Sequence, residues 1–296
     1  MKKPVVICFG EVLWDLLPAG KIAGGAPMNV AYRTNNLGMH SKMVSRLGDD
    51  DFGQELRVFL NGKGVSTELV QTDPSLPTGL VNVVLDEKGI PSYEIVQPAA
   101  WDQIELTDEI LGAFDSADAL VFGSLSCRAE QSKKTLLALV EKAPLRVFDV
   151  NLREPFYDRA LLDTLLPKAN IVKVNDIELD LLASWYDIKG DEAAQMAVLK
   201  EKFGFDRIIV TKGEHGAACL SNEGFCTVPG VPVKVQDTIG SGDAFLSGFL
   251  SQFFSGASDQ ECLRFANALG ALTATKAGGT PNISPEEIDA FLSGIA

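Results

Sequence analysis

Hydrophobic positions along the chain fall into short apolar runs that alternate with longer segments of helical periodicity. The short runs are rich in β-branched residues and apolar along most of their length, which is typical of strands covered on both faces. Strands that alternate with helices in this way predict an α/β fold with a mostly parallel central sheet. The predicted core strands are residues 5–9, 42–46, 119–122, 146–150, 171–174 and 207–211.

The longer segments repeat their apolar residues with the period of an amphipathic helix. The last of them begins at Ser284-Pro285-Glu286-Glu287, where a capping residue is followed by Pro and two acids near the positive end of the helix dipole. The predicted helices are residues 26–37, 51–61, 132–142, 177–185, 192–203, 243–254, 259–276 and 285–292.

The region between residues 71 and 97 departs from this alternation of strands and helices. Two short alternating runs, 79–85 and 92–96, are joined there by Asp86-Glu87-Lys88-Gly89, a pattern that predicts a hairpin. Residues 12–17 look similar, so we expect lid strands at about 12–20 and 71–97, inserted into one domain that spans residues 1–296. From pattern alone, a lid over a site and an edge decoration are equally good interpretations.

The composition and the net charge of the chain limit the kinds of partner it can bind. The 296 residues are 46% hydrophobic and 22% charged, enough for a sizeable core, and 26 basic against 40 acidic residues give a formal charge of −14. An acidic chain argues against nucleic acid as a partner. A phosphate ligand stays open, because phosphate sites are local and often built from backbone N–H groups.

Cysteine and histidine usage excludes several kinds of site. The five cysteines are widely spaced without a CxxC pair, and the chain has only two histidines. This is typical of core thiols in a reducing compartment and leaves little material for a zinc site or a Ser-His-Asp triad. No run approaches 18 uninterrupted apolar residues, so we expect no membrane partner and a cytoplasmic location.

The most informative segment for chemistry is a glycine-rich turn before a predicted helix, Gly240-Ser241-Gly242-Asp243. Its backbone N–H groups and the helix dipole predict a site for a phosphate or a developing negative charge. Asp243 in the same turn is placed to act as general base in phosphoryl transfer, and we expect the helix terminus to lower its pKa. The alternative interpretation of an isolated turn of this type is a plain capping Asp.

Two longer strings around this turn and near the start of the chain carry a family resemblance. Asp237-Thr238-Ile239-Gly240-Ser241-Gly242-Asp243 resembles the signature of ribokinase-like (pfkB) carbohydrate kinases, with Ser241 in place of the usual alanine. Gly24-Gly25-Ala26-Pro27-Met28-Asn29-Val30-Ala31 and the later run 46–53 resemble the second signature. The resemblance covers essentially the whole chain and implies a three-layer α/β/α sandwich with a small β-sheet lid, and ATP and Mg²⁺ as cofactors.

The resemblance also implies a sugar site. Asp15, in the string Gly10-Glu11-Val12-Leu13-Trp14-Asp15, matches the residue that binds sugar hydroxyls, which suits a carboxylate because it accepts two hydrogen bonds. The full implied sugar set is Asp15, Gly24, Gly25, Asn29, Asp149, Asn151 and Arg153. Arg153 is also implied to contact the transferring phosphoryl group, and a solvated loop Arg is its alternative. Trp14, Tyr93 and Trp101 are candidates to stack on the sugar, or else packing residues.

Nucleotide and metal sites follow from the same resemblance. The implied nucleotide residues are Asn175, Thr211, Gly213, Gly216, Gly240, Gly242 and Asn267. Glu178, in the string Asn175-Asp176-Ile177-Glu178, is implied to hold Mg²⁺ through water, and it also fits a capping box. Possible K⁺ ligands are Asp237, Ile239, Thr273, Gly278 and Asn282, largely through backbone carbonyls.

Within the family, Asp149-Val150-Asn151-Leu152-Arg153 resembles the pattern in fructokinases and 2-keto-3-deoxygluconate kinases. We therefore expect ATP-dependent phosphorylation of fructose to fructose 6-phosphate, with 2-keto-3-deoxygluconate kinase or ribokinase as alternatives. A sugar-sensing binding protein on an inactive kinase fold is the non-enzyme alternative. Relatives often dimerise through the lid strands, so a homodimer is a further expectation.

Overall fold

The alternating pattern produces thirteen strands and ten helices within the part of the chain that the computed structural model describes, residues 2–17, 20–85 and 91–294. The predicted hairpin loop at 86–89 and the side chain of Tyr93 lie outside the described portion. The strands are β1 (Val5–Phe9), β2 (Leu13–Leu17), β3 (Gly20–Gly24), β4 (His40–Gly48), β5 (Val70–Asp73), β6 (Gly79–Leu85), β7 (Pro91–Ile95), β8 (Ala119–Gly123), β9 (Arg146–Asp149), β10 (Ile171–Asn175), β11 (Arg207–Thr211), β12 (Ala217–Ser221) and β13 (Gly224–Val228).

The helices agree with the predicted periodic segments to within about two residues at most ends, as is usual for helix boundaries. Two short helices, α3 (Asp108–Ala113) and α5 (Arg159–Leu165), were not predicted, because each spans fewer than three turns and shows no clear periodicity. The helices are α1 (Ala26–Asn36), α2 (Asp51–Gly62), α3 (Asp108–Ala113), α4 (Glu130–Val140), α5 (Arg159–Leu165), α6 (Asp176–Trp185), α7 (Glu192–Phe203), α8 (Ser241–Phe254), α9 (Asp259–Ala274) and α10 (Pro285–Gly294).

The large sheet has nine strands in the order β13-β12-β11-β10-β9-β8-β1-β4-β5. Strands from β11 to β5 are parallel, whereas β12 and β13 add an antiparallel edge. The prediction of an α/β fold with a mostly parallel sheet is confirmed. The edge strands β12 and β13 were not predicted, because β13 is largely exposed and lacks the fully apolar run of a central strand.

Helices cover both faces of this sheet, because alternate residues of each strand point to opposite sides. In β1, Ile7 and Phe9 join the core under α3 to α7, whereas Val6 and Cys8 join the core under α1, α2, α8 and α9. Burial of each Leu, Ile or Phe side chain stabilises the fold by roughly 1.5–3 kcal/mol. The two cores hold the central strands rigidly, so the strand ends can position side chains accurately.

The small sheet has four strands in the order β3-β2-β6-β7. Its strand β6 pairs in parallel with β2 and antiparallel with β7, as the predicted hairpin requires. Val70–Asp73 pairs instead with β4 of the large sheet, so the segment that belongs to the small sheet begins at Gly79 rather than near residue 71. Within the described residues, no helix combines the length and the apolarity that a membrane crossing needs.

Candidate active site

The carboxyl ends of the parallel strands meet along one edge of the large sheet, where α/β proteins place their ligands. Asp149 ends β9, Asn175 ends β10 and Thr211 ends β11, and these three strands are neighbours. Gly10 and Glu11 follow β1 along the same edge, and Gly10 N–H donates to Val44 O at 3.1 Å. The strand ends therefore bring three of the predicted site residues, Asp149, Asn175 and Thr211, to one edge of the sheet.

The glycine-rich turn lies at the N-terminus of α8. Gly240 takes the position before the helix with φ 75°, a left-handed conformation, and a Cβ there would collide with the backbone of Gly279. The helix has no side-chain cap at this end, and Ser241 N–H donates to Thr238 O at 3.2 Å. Among the described residues no hydrogen bond is found for the N–H groups of Gly242 and Asp243, so these two are available for an anion. This geometry is the one that the sequence predicted for an anion site.

Asp243 lies in the first turn of α8 and is buried. Its Oδ2 accepts a hydrogen bond of 2.8 Å from Asn29 Nδ2, and Asn29 lies 214 positions earlier in the sequence. The two family-like strings thus meet at one buried contact. The observed partner of Asp243 is the side chain of another helix, which differs from the plain capping Asp of the alternative interpretation.

The expectation that the helix terminus lowers the pKa of Asp243 is wrong. Burial, and to a smaller extent the charge of Asp149, raise this pKa to about 6, although Asn29, Lys173 and Arg153 act in the opposite direction. Desolvation of a fully buried carboxylate exceeds the attraction of a helix dipole, which contributes about 0.3–1 kcal/mol at an exposed position. Asp243 remains mostly ionised at neutral pH but is a stronger base than an ordinary Asp.

The sugar-side residues surround the start of α1. Asp15 lies on β2 and Gly24 ends β3, and a Cβ at Gly24 would collide with Asp15 Oδ2. Gly25 has φ 112°, and a Cβ there would collide with the carbonyl of Glu11. Burial raises the pKa of Asp15 to about 6, with Arg153 lowering it in part. The structure therefore brings Asp15, Gly24, Gly25 and Asn29 together beside the anion turn.

Asp149, Asn151 and Arg153 are not equivalent in the structure. Both Asp149 oxygens accept hydrogen bonds from Lys173 Nζ, at 2.8 and 2.9 Å, in a pair buried between β9 and β10. Asn151 has φ 39°, an uncommon backbone conformation for a residue other than glycine. Arg153 is exposed, and its charge lowers the pKa of the carboxyl groups of Glu11, Asp15 and Asp243.

Lys173 is a site residue that the sequence reasoning missed. Burial lowers its pKa, but the charge and hydrogen bonds of Asp149 outweigh this effect, so the pKa lies above its usual value and the side chain is protonated at neutral pH. The signal that could have revealed it is a lysine inside an otherwise apolar strand, beside a strand that ends in Asp.

Glu11 follows β1 in the string that carries Asp15, and the sequence predicted no role for it. Its side chain is buried, and Oε2 has no hydrogen-bond partner among the described residues. Burial raises the pKa of Glu11 to about 7, and the nearby charge of Arg153 lowers it in part. This side of the site therefore holds several carboxyl groups with raised pKa values and one exposed guanidinium.

Glu178 caps α6 in a capping box with Asn175. Glu178 Oε2 accepts from Asn175 N–H at 2.9 Å, and Asn175 Oδ1 accepts from Glu178 N–H at 2.8 Å. Glu178 Oε1 accepts from Leu152 N–H at 2.7 Å, so Glu178 also fixes the loop that carries Arg153. Its pKa is raised by burial and by the charge of Asp149. The role of Glu178 as a helix cap is therefore compatible with a second role in holding a metal ion.

A cavity of about 550 Å³ opens beside the anion turn. It brings together six of the predicted nucleotide or anion residues, namely Thr211, Gly213, Gly216, Ser241, Gly242 and Asn267. Asn267 Nδ2 donates to Pro229 O at 2.8 Å. The sequence did not predict the apolar part of the lining, which comes from the loop before α8 and from α8 itself: Val231, Pro232, Val233, Val235 and Phe245. Asn175 and Gly240 do not line this cavity.

The residues implied for K⁺ lie on two loops and the end of α9. Asp237 Oδ1 accepts from Ile239 N–H at 3.0 Å and Oδ2 from Gly278 N–H at 2.9 Å, so one carboxylate joins both loops. Thr273 Oγ1 is buried without a hydrogen-bond partner among the described residues, and Asn282 is exposed. The structure thus brings Asp237, Ile239 and Gly278 together.

The tryptophans pack rather than face an open site. Trp14 is buried with its Nε1 donating to Phe52 O at 3.1 Å, and its ring packs edge-on against Phe59. Trp101 is fully buried under the guanidinium of Arg128, whose carbon lies 3.8 Å from the ring centroid. The packing interpretation of both residues therefore agrees with the structure.

The chain was compared with known proteins at the levels of family, sequence and fold. The model for the pfkB family carbohydrate kinases matches residues 17–286. Probable fructokinase-3 of Arabidopsis thaliana is 32% identical over 320 residues, covering 98% of this chain and 91% of the relative. Fructokinase-1 of Zea mays is 31% identical over 313 residues, covering 96% of each chain.

Solved structures agree with the sequence comparison. The fructokinase from Xylella fastidiosa with bound ATP superposes with a TM-score of 0.85 at 26% identity, covering 98% of both chains. A double mutant of the Vibrio cholerae fructokinase in its fructose-, ADP- and potassium-bound form gives a TM-score of 0.83 at 25% identity, covering 98% of this chain and 99% of that one. The chain belongs to the pfkB family of carbohydrate kinases.

Proposed function

We propose that the protein transfers the γ-phosphoryl group of ATP to the 6-hydroxyl group of fructose, giving fructose 6-phosphate and ADP. The observation that carries this proposal is the 2.8 Å contact between Asn29 and Asp243. It joins the sugar-side residues to the anion turn, and the cavity for a nucleotide opens on the other side of that turn. One buried carboxylate therefore lies between the two substrate sites.

Fructose as the acceptor is supported by the relatives and by charge. The relatives described above are named fructokinases, and the Vibrio cholerae structure is in a fructose- and ADP-bound form. On the sugar side, the carboxyl groups of Glu11, Asp15 and Asp243 lie near the exposed cation Arg153, and the buried cation Lys173 is paired with Asp149. A neutral ketose suits this surface better than a sugar acid, whose carboxylate would repel the three acidic groups.

The reaction assigns a role to each part of the anion turn. The sugar hydroxyl oxygen forms a bond to the γ-phosphorus while the bond from that phosphorus to the ADP oxygen breaks, and the hydroxyl proton passes to Asp243. The N–H groups at the start of α8 stabilise the charge on the transferring group. The raised pKa of about 6 suits Asp243 to this task, because it is ionised at neutral pH and still a competent proton acceptor.

Glu178 is the residue we propose for Mg²⁺, through water. Each of its oxygens accepts one backbone N–H and keeps a further lone pair for a water molecule. Within the described residues, no three His, Cys, Asp or Glu side chains form a cluster for direct coordination, which suits a cation that keeps its waters. When bound, Mg²⁺ would neutralise phosphate charge near this acidic site.

For K⁺ we propose the two loops joined by Asp237. The unpartnered Thr273 Oγ1 supports this placement, since a buried oxygen without a donor is free to face a cation. The Vibrio cholerae fructokinase named above has a bound potassium ion. Replacing KCl by choline chloride should lower the rate of ADP formation, and an unchanged rate would argue against the site.

The small sheet is the part we propose as lid and dimer surface. Its outer strands, β3 and β7, each have one paired neighbour in the sheet, so each leaves an edge for pairing with a second copy. Light scattering should give twice the mass of one chain, and the mass of a single chain would exclude the dimer.

The test of the proposed function is ADP formation measured with a coupled assay. Fructose, ribose and 2-keto-3-deoxygluconate are supplied in turn with ATP and Mg²⁺, and we expect the highest kcat/KM for fructose. A higher kcat/KM for one of the other two would reassign the substrate. If none of the three sugars causes ADP release, the kinase proposal is overturned in favour of a sugar-binding protein.

A further inference from the structure

Lys173 is the only lysine that the structure buries among the described residues, and it lies directly beside Asp149. In the parallel pairing of β10 with β9, Lys173 lies opposite Asp149, and Ile171, two residues before Lys173, lies opposite Val147. Ile171 and Val147 belong to the core under α1 and α8. Because alternate residues share a face, Lys173 and Asp149 point to the side of the sheet that carries α8.

The ammonium group of Lys173 reaches the anion turn. Its Nζ lies 3.4 Å from the place that a Cβ of Gly242 would occupy. The absence of a side chain at Gly242 therefore leaves open space between the ammonium group and the turn. Gly242 also lines the 550 Å³ cavity, and the charge of Lys173 lowers the pKa of Asp243, so Lys173 lies close both to a residue of the cavity wall and to Asp243.

The hydrogen bonds of Lys173 leave one donor available. An ammonium group has three protons, and the two hydrogen bonds found for Nζ among the described residues both go to Asp149, at 2.8 and 2.9 Å. Asp149 in turn uses both of its oxygens on Lys173. This arrangement orients a buried cation rigidly, with Asp149 as the group that holds it.

We propose that Lys173 is a further catalytic residue, whose third N–H contacts the transferring phosphoryl group, and that Asp149 is the residue that positions it. The inference rests on the proposed function. During transfer the bond from the γ-phosphorus to ADP breaks, the bond to the sugar oxygen forms, and the sugar proton goes to Asp243. Lys173 keeps its own proton throughout and stabilises the negative charge on the phosphoryl oxygens.

The test replaces Lys173 by Met, which keeps the chain length and removes the charge. We expect Lys173→Met to lower kcat on the order of 10²–10³-fold, as for loss of one donor to a transition-state anion. The Kd for fructose, measured by calorimetry without nucleotide, should stay within about twofold, because the proposed contact of Lys173 is with the phosphoryl group and not with the sugar. An unchanged kcat in a folded Lys173→Met protein would overturn the catalytic role.

Asp149 is tested through the same two readouts. We expect Asp149→Asn to lower kcat at least about tenfold without weakening fructose binding, and to have no further effect on kcat in the Lys173→Met background. A sugar ligand would behave differently, since its loss would raise the Kd for fructose whether or not Lys173 were present. That outcome would overturn the positioning role and restore the sugar-binding one.

Two controls make the result interpretable. Lys168→Met breaks the exposed pair with Glu141, near the opposite end of β10, and should leave both kcat and the Kd unchanged. If a single variant unfolds because a buried charge is left alone, the double variant Lys173→Met with Asp149→Asn removes both charges and should fold yet remain slow. An inactive wild-type protein would instead overturn the proposed function, whereas a fast double variant would overturn only the role of Lys173.

Discussion

Two carboxylates at helix N-termini, Asp50 before α2 and Asp243 in the first turn of α8, have pKa values shifted in opposite directions. Asp50, in the loop after β4, accepts hydrogen bonds from Gly53 N–H at 2.8 Å and from Thr78 N–H and Oγ1 at 2.8 and 2.7 Å. Burial tends to raise its pKa, but these hydrogen bonds outweigh it and the pKa lies below the usual value. Asp243 is more deeply buried and accepts one side-chain hydrogen bond from Asn29, and its pKa is raised to about 6.

The difference separates residues that hold the fold from residues that are available for chemistry. Asp50 connects the end of β4 to Thr78, the residue before β6, and its hydrogen-bonding capacity is largely used. Asp243 lies in a polar cluster of few hydrogen bonds, where its charge is poorly stabilised. A carboxylate under-satisfied in this way is a stronger proton acceptor, and such groups concentrate at functional sites.

Replacing Asp243 by Asn should give the largest effect on activity. We expect kcat to fall on the order of 10²–10⁴-fold, because the general base is lost while the side chain keeps its shape and its contact with Asn29. Fructose binding measured without nucleotide should change little. Retention of more than about a tenth of the wild-type kcat would show that Asp243 is not the base.

Replacing Asp50 by Ala should affect stability instead. Loss of the carboxylate leaves the Thr78 and Gly53 donors unpaired, so we expect the free energy of unfolding in urea to fall by about 2–4 kcal/mol. The stabilisation by Asp50 is fully present above the pKa of the unfolded chain and is lost as pH falls through the lower native pKa. A kcat lowered more than about tenfold at temperatures where the variant is folded would contradict a purely structural role.

A smaller effect is expected on the stability of the Asp243→Asn protein. The native pKa of about 6 lies above the usual value of 3.8, so folding favours the protonated form and the free energy of unfolding falls as pH rises from about 4 to 6. The Asn side chain does not ionise, so the variant does not lose this stability as pH rises. We expect the variant to be more stable than wild type by about 1–2 kcal/mol at pH 8, and the difference to disappear below pH 4. Equal stability at pH 8 would argue against a raised pKa.

The sequence allowed accurate prediction of what is local or carried by long motifs. The central strands follow from apolar runs such as Val5–Phe9, and the anion turn follows from Gly240 and Gly242 before an apolar-periodic helix. Most predicted nucleotide residues line one cavity, because they end neighbouring strands or begin a helix at the same edge of the sheet. In each case a short stretch of sequence determines the position.

What the sequence could not supply depends on contacts between distant segments. Lys173 meets Asp149 only because β9 and β10 pair in one register, which no local pattern specifies. The raised pKa of Asp243 results from burial by several elements, so the helix terminus alone predicted the wrong direction. Val70–Asp73 joined the large sheet rather than the small one because pairing partners, unlike strand character, are set by the whole fold.

The central claim, that the buried Asp243 accepts the sugar proton, is tested most directly by the pH dependence of kcat/KM for fructose. We predict that kcat/KM falls as pH decreases through about 6, since Asp243 must be ionised. Because the hydrogen bond from Asn29 lowers this pKa, Asn29→Ala should move the acid limb to higher pH. A profile that stays flat down to pH about 5, or an acid limb that Asn29→Ala leaves in place, would contradict the assignment of the base.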